Sequence, residues 1–327
     1  MRILVLGGTV FLSRAVAAAA LQAGHDVTCF ARGTHGPPPP GARFVQGDRD
    51  GEDAYSDLRE KWDAVVDVTS EPRHASEAAT ALGSDAGHWT FVSSCSVYAD
   101  QGTPGQDESA AILSAYDGEG PAPREKYGEA KVACEQVYAS ALGGRALIIR
   151  PGLICGAGDG SDRFGYWPAR LARGGTVIAP DIRNAATQTI DVRDLAAWIV
   201  RSAEAGLTGR FNALGPSVSF GDLLTRVAEI TGFTGEFRWC APSWLARQGV
   251  SYWAGPDSLP HWLPEGFEGF ATRSAAAALR NGLILRSVDD TIREVLDDEL
   301  DRGLDRERKS GLTPGTEQRL VGQTPVS

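Results

Sequence analysis

The sequence predicts an α/β fold in which a doubly wound parallel sheet carries a smaller C-terminal α/β portion. Two observations lead to this prediction. Short apolar runs alternate with helix-forming stretches over the first 100 residues, as parallel βαβ units require. A glycine turn, Gly7-Gly8, also separates the first apolar run from the first helix. Right-handed crossovers between such strands build a Rossmann-like sheet.

The elements follow one another in a regular order. Residues 2–6 form the first predicted strand, and residues 15–21 form a helix that ends near Gly24. Buried strands are predicted at residues 27–30, 44–46, 64–68, 89–93 and 146–149. The segment 189–194 is expected to return to the main sheet before a helix at about 195–204.

A change in composition after Pro151 predicts the domain organisation, because glycine and aromatic residues become frequent there. Residues 1–155 and about 185–215 are expected to form the Rossmann-like domain. The smaller, substrate-binding portion is expected at about 156–184 and 216–302. The last segment, 303–327, is predicted to be a polar, weakly ordered tail.

Charge and composition argue against several classes of protein. The formal net charge of −10 disfavours nucleic acid as a partner. No apolar run reaches the length of a membrane span, and the apolar start of the chain is too short for a signal peptide, so a cytoplasmic protein is expected. The five cysteines and five histidines lack ligand spacing, so no metal site is expected.

The candidate catalytic residues are Ser94, Tyr127 and Lys131. Tyr127 and Lys131 are four residues apart, which on a helix places both side chains on one face. A tyrosine is a poor acid or base at neutral pH unless a nearby ammonium lowers its pKa. Ser94 follows a predicted strand and precedes Tyr98 by four positions.

Ordered motifs give this chain a family resemblance. The glycine loop at 7–13, the segment 91–98, the Tyr127–Lys131 pair, Arg150-Pro151-Gly152 and the segment 190–196 occur in the expected order. Together they resemble the extended short-chain dehydrogenases/reductases, the NAD-dependent epimerase/dehydratase family. The branch is atypical, because Val10 and Ser13 stand where the family loop has glycines.

The resemblance implies a nicotinamide cofactor and assigns roles to particular residues. Tyr127 would be the general acid/base, Ser94 would orient the substrate oxygen, and Lys131 would tune Tyr127 and hold the ribose. The cofactor-binding residues that it implies are Gly7, Thr9, Val10, Phe11, Leu12, Arg32, Asp48, Arg49, Thr69, Tyr127, Lys131 and Pro151.

Two of these positions bear on the choice and fit of the cofactor. The second strand ends at Arg32 without an acid, which favours NADP over NAD because a guanidinium can pair with a 2′-phosphate. Arg49 could assist that phosphate or stack on adenine. Val10 is a β-branched residue, which resists positive φ and puts a side chain where the pyrophosphate should approach.

The substrate is expected to be a small organic or sugar-like molecule that contacts Ser96, Phe164, Tyr166 and Trp167. Cys95-Ser96 replaces the Asp-Glu pair of the family's sugar dehydratases. Thr187-Gln188-Thr189 and Gly152 stand where nucleotide-sugar epimerases often have an arginine and an asparagine. Three hypotheses follow: an NADP-dependent ketoreductase, an epimerase with retained NAD, and a non-catalytic or RNA-associated relative. Many members of the family pair through two helices, so a homodimer is also an expectation.

Overall fold

The computed structural model describes residues 1–323 and contains a central sheet with smaller sheets beside it. Its strands are β1 (Arg2–Leu6), β2 (Asp26–Ala31), β3 (Arg43–Gln46), β4 (Trp62–Asp67), β5 (Ala86–Val92), β6 (Ala146–Pro151), β7 (Leu153–Cys155), β8 (Thr176–Pro180), β9 (Ala186–Asp191), β10 (Gly209–Ala213), β11 (Ser217–Ser219), β12 (Glu236–Cys240), β13 (Ser251–Tyr252) and β14 (Ser258–Leu259). Its helices are α1 (Phe11–Gln22), α2 (Pro72–Leu82), α3 (Tyr127–Leu142), α4 (Tyr166–Ala172), α5 (Val192–Glu204), α6 (Phe220–Thr231), α7 (Pro242–Arg247), α8 (Ala276–Arg280), α9 (Val288–Arg302) and α10 (Pro314–Gln323).

The central sheet has seven parallel strands in the order β3-β2-β1-β4-β5-β6-β10. The chain builds outward from β1 in one direction and from β4 in the other, so the order reverses between these two strands. In a doubly wound sheet, ligands bind at the carboxyl ends of the strands beside such a reversal. The predicted α/β fold with a Rossmann-like sheet is confirmed.

Alternating side chains explain why the strands are apolar throughout. Ile3 and Val5 pack with α1 and α5 on one face of the sheet, whereas Leu4 and Leu6 pack with residues of α2 and α3 on the other. Successive side chains of a strand point to opposite faces. A parallel sheet that helices cover on both faces therefore reads as a continuous apolar run rather than an alternating one.

The expectation for residues 189–194 was partly wrong. The strand there, β9, pairs with β7 and β11 in a separate three-stranded sheet. The strand that joins the central sheet after α5 is β10, which pairs with β6. Because β10 is an edge strand with only Phe211 and Ala213 as apolar residues, it carries little of the signal of a buried strand.

The segment from residue 303 onward is not a weakly ordered tail as far as the structure describes it. Residues 314–323 form α10, and Leu312 and Leu320 are buried in the core of the C-terminal portion. Polar residues of the segment are ion-paired: Arg170 contacts Glu317 at 2.6 Å in a buried pair. The segment was predicted to be solvated because it is polar, but polar side chains in it form ion pairs within the protein. Residues 324–327 of the predicted tail lie outside the described residues.

Three further features bear on the chemistry open to this chain. The five cysteines are buried, and none of them forms a disulfide within residues 1–323. Within residues 1–323, none of the helices combines the length and apolar character needed to cross a membrane. The same residues contain no group of three or more His, Cys, Asp or Glu side chains that could hold a metal ion.

The order of the C-terminal helix can be tested by truncating one buried side chain. Leu320→Ala should lower the free energy of unfolding by about 2–5 kcal/mol, because it removes a buried leucine from a packed core. Leu300→Ala is the matched control, since Leu300 is exposed on α9 and its loss should cost about 0.5 kcal/mol or less. Urea unfolding of both variants measures the difference. Equal, small effects would mean that α10 does not pack as described.

Candidate active site

The catalytic candidates lie in one cleft at the carboxyl ends of the central strands. The cleft has a volume of about 830 Å³, and Ser94, Tyr127 and Lys131 line it. Five other residues that the sequence singled out also line it: Val10, Phe11, Leu12, Ser96 and Pro151. A smaller cleft of about 300 Å³ shares Val10 with it and is lined by Gly7, Thr9, Arg32, Asp48, Arg49 and Thr69. The structure therefore brings the catalytic and cofactor candidates to one edge of the sheet.

Ser94 and Tyr127 come from neighbouring elements and their hydroxyl groups interact. Ser94 follows β5, and its Oγ accepts a hydrogen bond from the backbone N–H of Ser96 at 3.1 Å, which fixes the turn after the strand. Tyr127 is the first residue of α3 and is 41% exposed. Desolvation raises the pKa of Tyr127, and the hydrogen bond with Ser94 and the charge of Arg163 oppose that rise.

Lys131 lies one turn further along α3 and is almost fully buried. Its Nζ donates to the backbone carbonyls of Thr69 and Val92 at 2.7 Å each and of Val68 at 3.2 Å. Burial lowers the pKa of Lys131 to about 8. Its ammonium is 6.0 Å from the centre of the Tyr127 ring. All three of its protons therefore have protein acceptors, so a ribose hydroxyl would have to replace one of these carbonyls.

A buried polar network beneath the cleft holds the strand ends in place. The Oγ of Ser93 donates to Glu135 at 2.6 Å, and Arg150 donates to both carboxylate oxygens of Glu135 at 2.9 and 2.6 Å. Arg150 also contacts the hydroxyl of Tyr98 at 3.2 Å. The hydroxyl of Ser93, which directly precedes Ser94, therefore belongs to this network.

The backbone of the glycine loop accommodates Val10 without a positive φ at that residue. Val10 has an extended backbone with φ of −132°, and the positive φ falls on the next residue, Phe11, at 31°. Gly8 has a φ of 94°, and a Cβ there would lie 2.4 Å from the Sγ of Cys29. Glycine is therefore required at position 8. The side chain of Val10 is half-exposed and lines both clefts, as its position in the loop predicts.

Three predicted cofactor residues have polar groups available in the smaller cleft. Arg32 is exposed, and its side chain makes no ion pair within residues 1–323. Asp48 is exposed and accepts one hydrogen bond, from the backbone of Asp50 at 3.1 Å. The Oγ of Thr69 accepts from the backbone of Glu71 at 3.1 Å, so its hydroxyl proton can still be donated. This cleft can thus offer a cation, a carboxylate and a hydroxyl to a bound adenosine.

The structure does not leave Arg49 free for a 2′-phosphate, because its guanidinium is paired with an internal acid. Its guanidinium donates to both carboxylate oxygens of Asp67 at 2.9 and 2.7 Å, and to the backbone carbonyl of His74 at 3.0 Å. Asp67 is fully buried, and burial alone would raise its pKa. Arg49, with hydrogen bonds from Tyr138 and Thr69, instead holds the pKa of Asp67 below its ordinary value. Arg49 therefore neutralises an internal acid, although its edge lines the cleft.

Comparison with known proteins agrees with this arrangement. The model of the NAD-dependent epimerase/dehydratase family matches residues 3–213, which cover the glycine loop, Ser94, Tyr127 and Lys131. The chain belongs to the NAD-dependent epimerase/dehydratase family. It is therefore an enzyme of the short-chain dehydrogenase/reductase type, and the hypothesis of a non-catalytic or RNA-associated relative is set aside. No curated protein sequence matches the chain.

Solved structures share the fold of this family member over nearly its whole length. A provisionally named epimerase from Burkholderia cenocepacia J2315 has a TM-score of 0.70 and 24% identity, covering 90% of this chain and 97% of that one. The UDP-N-acetylglucosamine 4-epimerase of Bacillus cereus has a TM-score of 0.66 and 17% identity, with coverage of 94% and 98%. The UDP-glucose 4-epimerase of Thermus thermophilus, in complex with NAD, has a TM-score of 0.62 and 18% identity, with coverage of 91% and 98%.

Two sites at which an arginine and an asparagine were expected for an epimerase hold other residues here, and these residues make contacts within the protein. Gln188 is buried and donates to the backbone carbonyls of Gly215 and Arg273, and Thr187 contacts His261. A Cβ at Gly152 would lie 2.5 Å from the Cδ2 of Leu214, so an asparagine there would require that leucine to move. These positions therefore serve the scaffold in this chain.

The predicted aromatic wall of the substrate site is wrong. Phe164, Tyr166 and Trp167 are buried in the core of the C-terminal portion and do not line the cleft. The Nε1 of Trp167 donates to the carbonyl of Pro260 at 3.1 Å, and its ring packs edge-on against Phe220. A cluster of aromatic residues near a substrate loop can equally be a core, and here it is one.

Sequence reasoning did not assign to the cleft several residues that line it. They are Arg124, Asp159, Ser161, Arg163, Trp253, Phe270, Lys309 and Ser310. Trp253 has a positive φ of 65°, and the guanidinium of Arg163 lies over its ring at 5.3 Å. No local pattern in the sequence links Arg163 to Trp253, because they are 90 residues apart in the chain and belong to loops. Lys309 falls in the segment expected to be a tail.

The buried Arg49–Asp67 pair predicts that removing the charge of Asp67 strongly lowers the stability of the fold. Asp67→Asn should lower the free energy of unfolding at neutral pH by about 3–5 kcal/mol, because it leaves a largely buried guanidinium without its partner. The difference should shrink as the pH falls below about 4, since Asp67, with its lowered pKa, stabilises the fold only while ionised. Unfolding curves at several pH values measure this.

The control is Asp85→Asn, which breaks the exposed pair with Lys61 and should cost about 1 kcal/mol or less. If both variants lost similar stability, Asp67 would not be the internal counter-charge described here.

Proposed function

We propose that this enzyme transfers a hydride between a nicotinamide cofactor and a carbonyl or secondary-alcohol carbon of a small organic or sugar-like substrate. The observation that carries the proposal is the convergence of Ser94, Tyr127 and Lys131 in one cleft that adjoins the glycine loop. The cofactor supplies or accepts the hydride, and the protein provides binding, orientation and proton transfer.

The glycine loop fits a pyrophosphate. Helix α1 begins after Val10 without a side-chain cap and has no acidic residue in its first turn. Its first backbone N–H groups therefore lack intrahelical partners, and the helix dipole adds positive potential there. Phe11 and Leu12, at this end of the helix, line the larger cleft. An anion bound at such a helix start needs no positively charged side chain.

The protein's own residues supply the proton chemistry. Tyr127 donates its hydroxyl proton to the substrate oxygen during reduction and removes it during oxidation. Ser94, already hydrogen-bonded to Tyr127, orients the same oxygen. The charge of Arg163 and the hydrogen bond with Ser94 oppose the desolvation of the tyrosinate form, and the ammonium of Lys131 lies 6.0 Å from the centre of the Tyr127 ring.

Arg32 supports NADP as the cofactor that this chain prefers, with NAD as the alternative. Its guanidinium follows β2, lines the adenosine-side cleft and has no ion pair within the described part of the chain. No acidic residue stands at positions 30–33, where an NAD-selective enzyme places a carboxylate for the ribose hydroxyls. A planar guanidinium is suited to a 2′-phosphate. Arg49, the other cation of this cleft, is neutralised by Asp67.

A nucleotide-sugar epimerase with retained NAD is the second candidate. The observation in its favour is the family itself, together with neighbours that are UDP-sugar 4-epimerases, one of them in complex with NAD. An epimerase returns the hydride to the substrate, so its cofactor is unchanged after each turnover, whereas a reductase consumes reduced cofactor. The scaffold contacts of Thr187 and Gln188 favour the reductase, because no arginine stands there for a diphosphate.

Two wider expectations accompany this proposal. A cytoplasmic, biosynthetic enzyme is in keeping with a small-molecule substrate and reduced, buried cysteines. A homodimer stays a prediction that measurement of the mass in solution would test.

Tyr127→Phe tests the proposed acid. Turnover of NADPH with a panel of small ketones should fall by about 10²- to 10⁴-fold, while the affinity for NADPH stays within about twofold, because only the proton donor is removed. Tyr252→Phe is the matched control, since Tyr252 has nearly the same exposure as Tyr127 but does not line this cleft. Stopped-flow absorbance of NADPH measures the rate. A Tyr127→Phe enzyme that turns over like the wild type would remove Tyr127 from the mechanism.

Arg32→Gln tests the choice of cofactor. The affinity for NADPH should fall by about 10- to 100-fold with little change for NADH, because only NADPH has the phosphate that the guanidinium would bind. Arg59→Gln serves as a control on an exposed arginine that lines neither cleft. Cofactor titrations followed by fluorescence give both affinities. An equal loss for the two cofactors, or none, would refute the preference for NADP.

A further inference from the structure

The catalytic cleft is strongly cationic in an acidic protein. Besides Lys131, it is lined by Arg124, Arg163 and Lys309, whereas Asp159 is the one acidic residue among its lining in the described chain. We refer to Arg124, Arg163 and Lys309 as the cationic rim. The whole chain has a formal charge of −10, so the local charge is opposite in sign to the global one. A cleft lined by one sign of charge concentrates ligands of the opposite sign.

None of the three side chains of the cationic rim forms an ion pair within residues 1–323. Asp159 acts on Arg163 only through its charge, without a direct contact between the two groups. Arginines nearby in the chain behave differently. Arg306 is paired with Asp162 and Glu299, and Arg308 contacts Glu299 at 2.6 Å. Acidic residues near Lys309 therefore pair with Arg306 and Arg308, but not with the side chains of the cationic rim.

Arg163 is held at the cleft by its surroundings. Its Nε donates to the Oγ of Ser161 at 3.1 Å, and its guanidinium lies over the ring of Trp253 at 5.3 Å. Burial lowers the pKa of Arg163, and repulsion from Arg124 adds to this effect against the opposing charge of Asp159. Arg124 and Arg163 line the same cleft.

Two hydrogen bonds, from the backbone of Lys309 and from the side chain of Ser310, fix the position of Lys309. Its backbone N–H donates to the carboxylate of Asp162 at 2.8 Å, and the neighbouring Ser310, which is buried, donates to the carbonyl of Ser161 at 2.9 Å. The C-terminal segment is thus fixed to the loop that carries Arg163. The ammonium of Lys309 itself stays exposed.

We propose that the cationic rim binds a compact oxyanion of the substrate, a carboxylate or a phosphate monoester, close to the carbon that exchanges the hydride. Two observations place the anion near the reacting end. Arg124 precedes Tyr127 by three residues, and Arg163 lines the same cleft as Tyr127 and Ser94. The substrate class is then an anionic hydroxy or keto compound. The inference rests on the proposed hydride transfer for its reacting carbon, but not for the binding of the anion.

The experiment titrates the NADPH-loaded enzyme with inorganic phosphate and, separately, with acetate, by calorimetry at constant ionic strength. NADPH occupies the other phosphate-binding places, the glycine loop and Arg32, so the added anion reports on the rim. We expect binding in at least one arm, weakened about tenfold or more by Arg163→Gln and by Lys309→Gln, since each removes a charge-assisted contact. Binding of phosphate alone would point to a phosphate monoester, and binding of acetate alone to a carboxylate.

Arg247→Gln is the matched control, because it removes one positive charge from an exposed site that lines neither cleft. Lys309→Gln guards against misfolding, since its side chain is exposed and its anchor is the backbone. No binding of either anion, or binding that both rim variants leave unchanged, would overturn the proposal. If neither NADPH nor NADH binds, the proposed function fails instead. The anion titration is then made on the free chain with Arg32→Gln as a further comparison, and the same rim variants decide it.

Discussion

The active site depends on one polar stripe of helix α3 that is bound to the ends of three central strands. Tyr127, Lys131, Glu135 and Tyr138 follow one another at intervals of three or four residues, so they share one face of the helix. Lys131 donates to carbonyls after β4 and β5, Glu135 joins the ends of β5 and β6, and Tyr138 donates to Asp67 at the end of β4. The position of Tyr127 over the cleft follows from these contacts.

The polar stripe fixes the position of helix α3 rather than adding to the stability of the fold. Burying charged groups costs desolvation energy, and a well-packed apolar face often stabilises a fold as much or more. Apolar contacts, however, are not directional, and a helix that packs only through alanine and valine side chains can shift along its neighbour. The hydrogen bonds of Lys131 and Glu135 fix both the height and the rotation of α3 against the strands. Arg49 belongs to the same system, because it neutralises the carboxylate of Asp67 that Tyr138 contacts.

The sequence predicts those parts of the site that lie close together in the chain. The buried strands, the glycine turn and the spacing of Tyr127 and Lys131 are local patterns. They predicted the parallel sheet correctly, and they singled out residues that the structure brings to one cleft. The ion-pair partner of a charged side chain, by contrast, can lie far away in the sequence. Arg49 looked like a free cation because its partner Asp67 comes 18 residues later, at the end of another strand. Trp167 looked like a substrate contact because an aromatic cluster in a core and one in a pocket have the same sequence signal.

The C-terminal segment shows why composition alone cannot separate scaffold charge from site charge. Arg306 and Lys309 are three residues apart in a stretch that is uniformly polar. Arg306 points to the buried acids Asp162 and Glu299, and its charge is cancelled by them. Lys309 is fixed through its backbone to the same Asp162, so the acid that neutralises one residue positions the other. The lysine charge is therefore held at the cleft without being neutralised there. A charge that the fold positions but does not pair is available to a ligand, so the proposed anion site rests on the absence of pairing rather than on polarity.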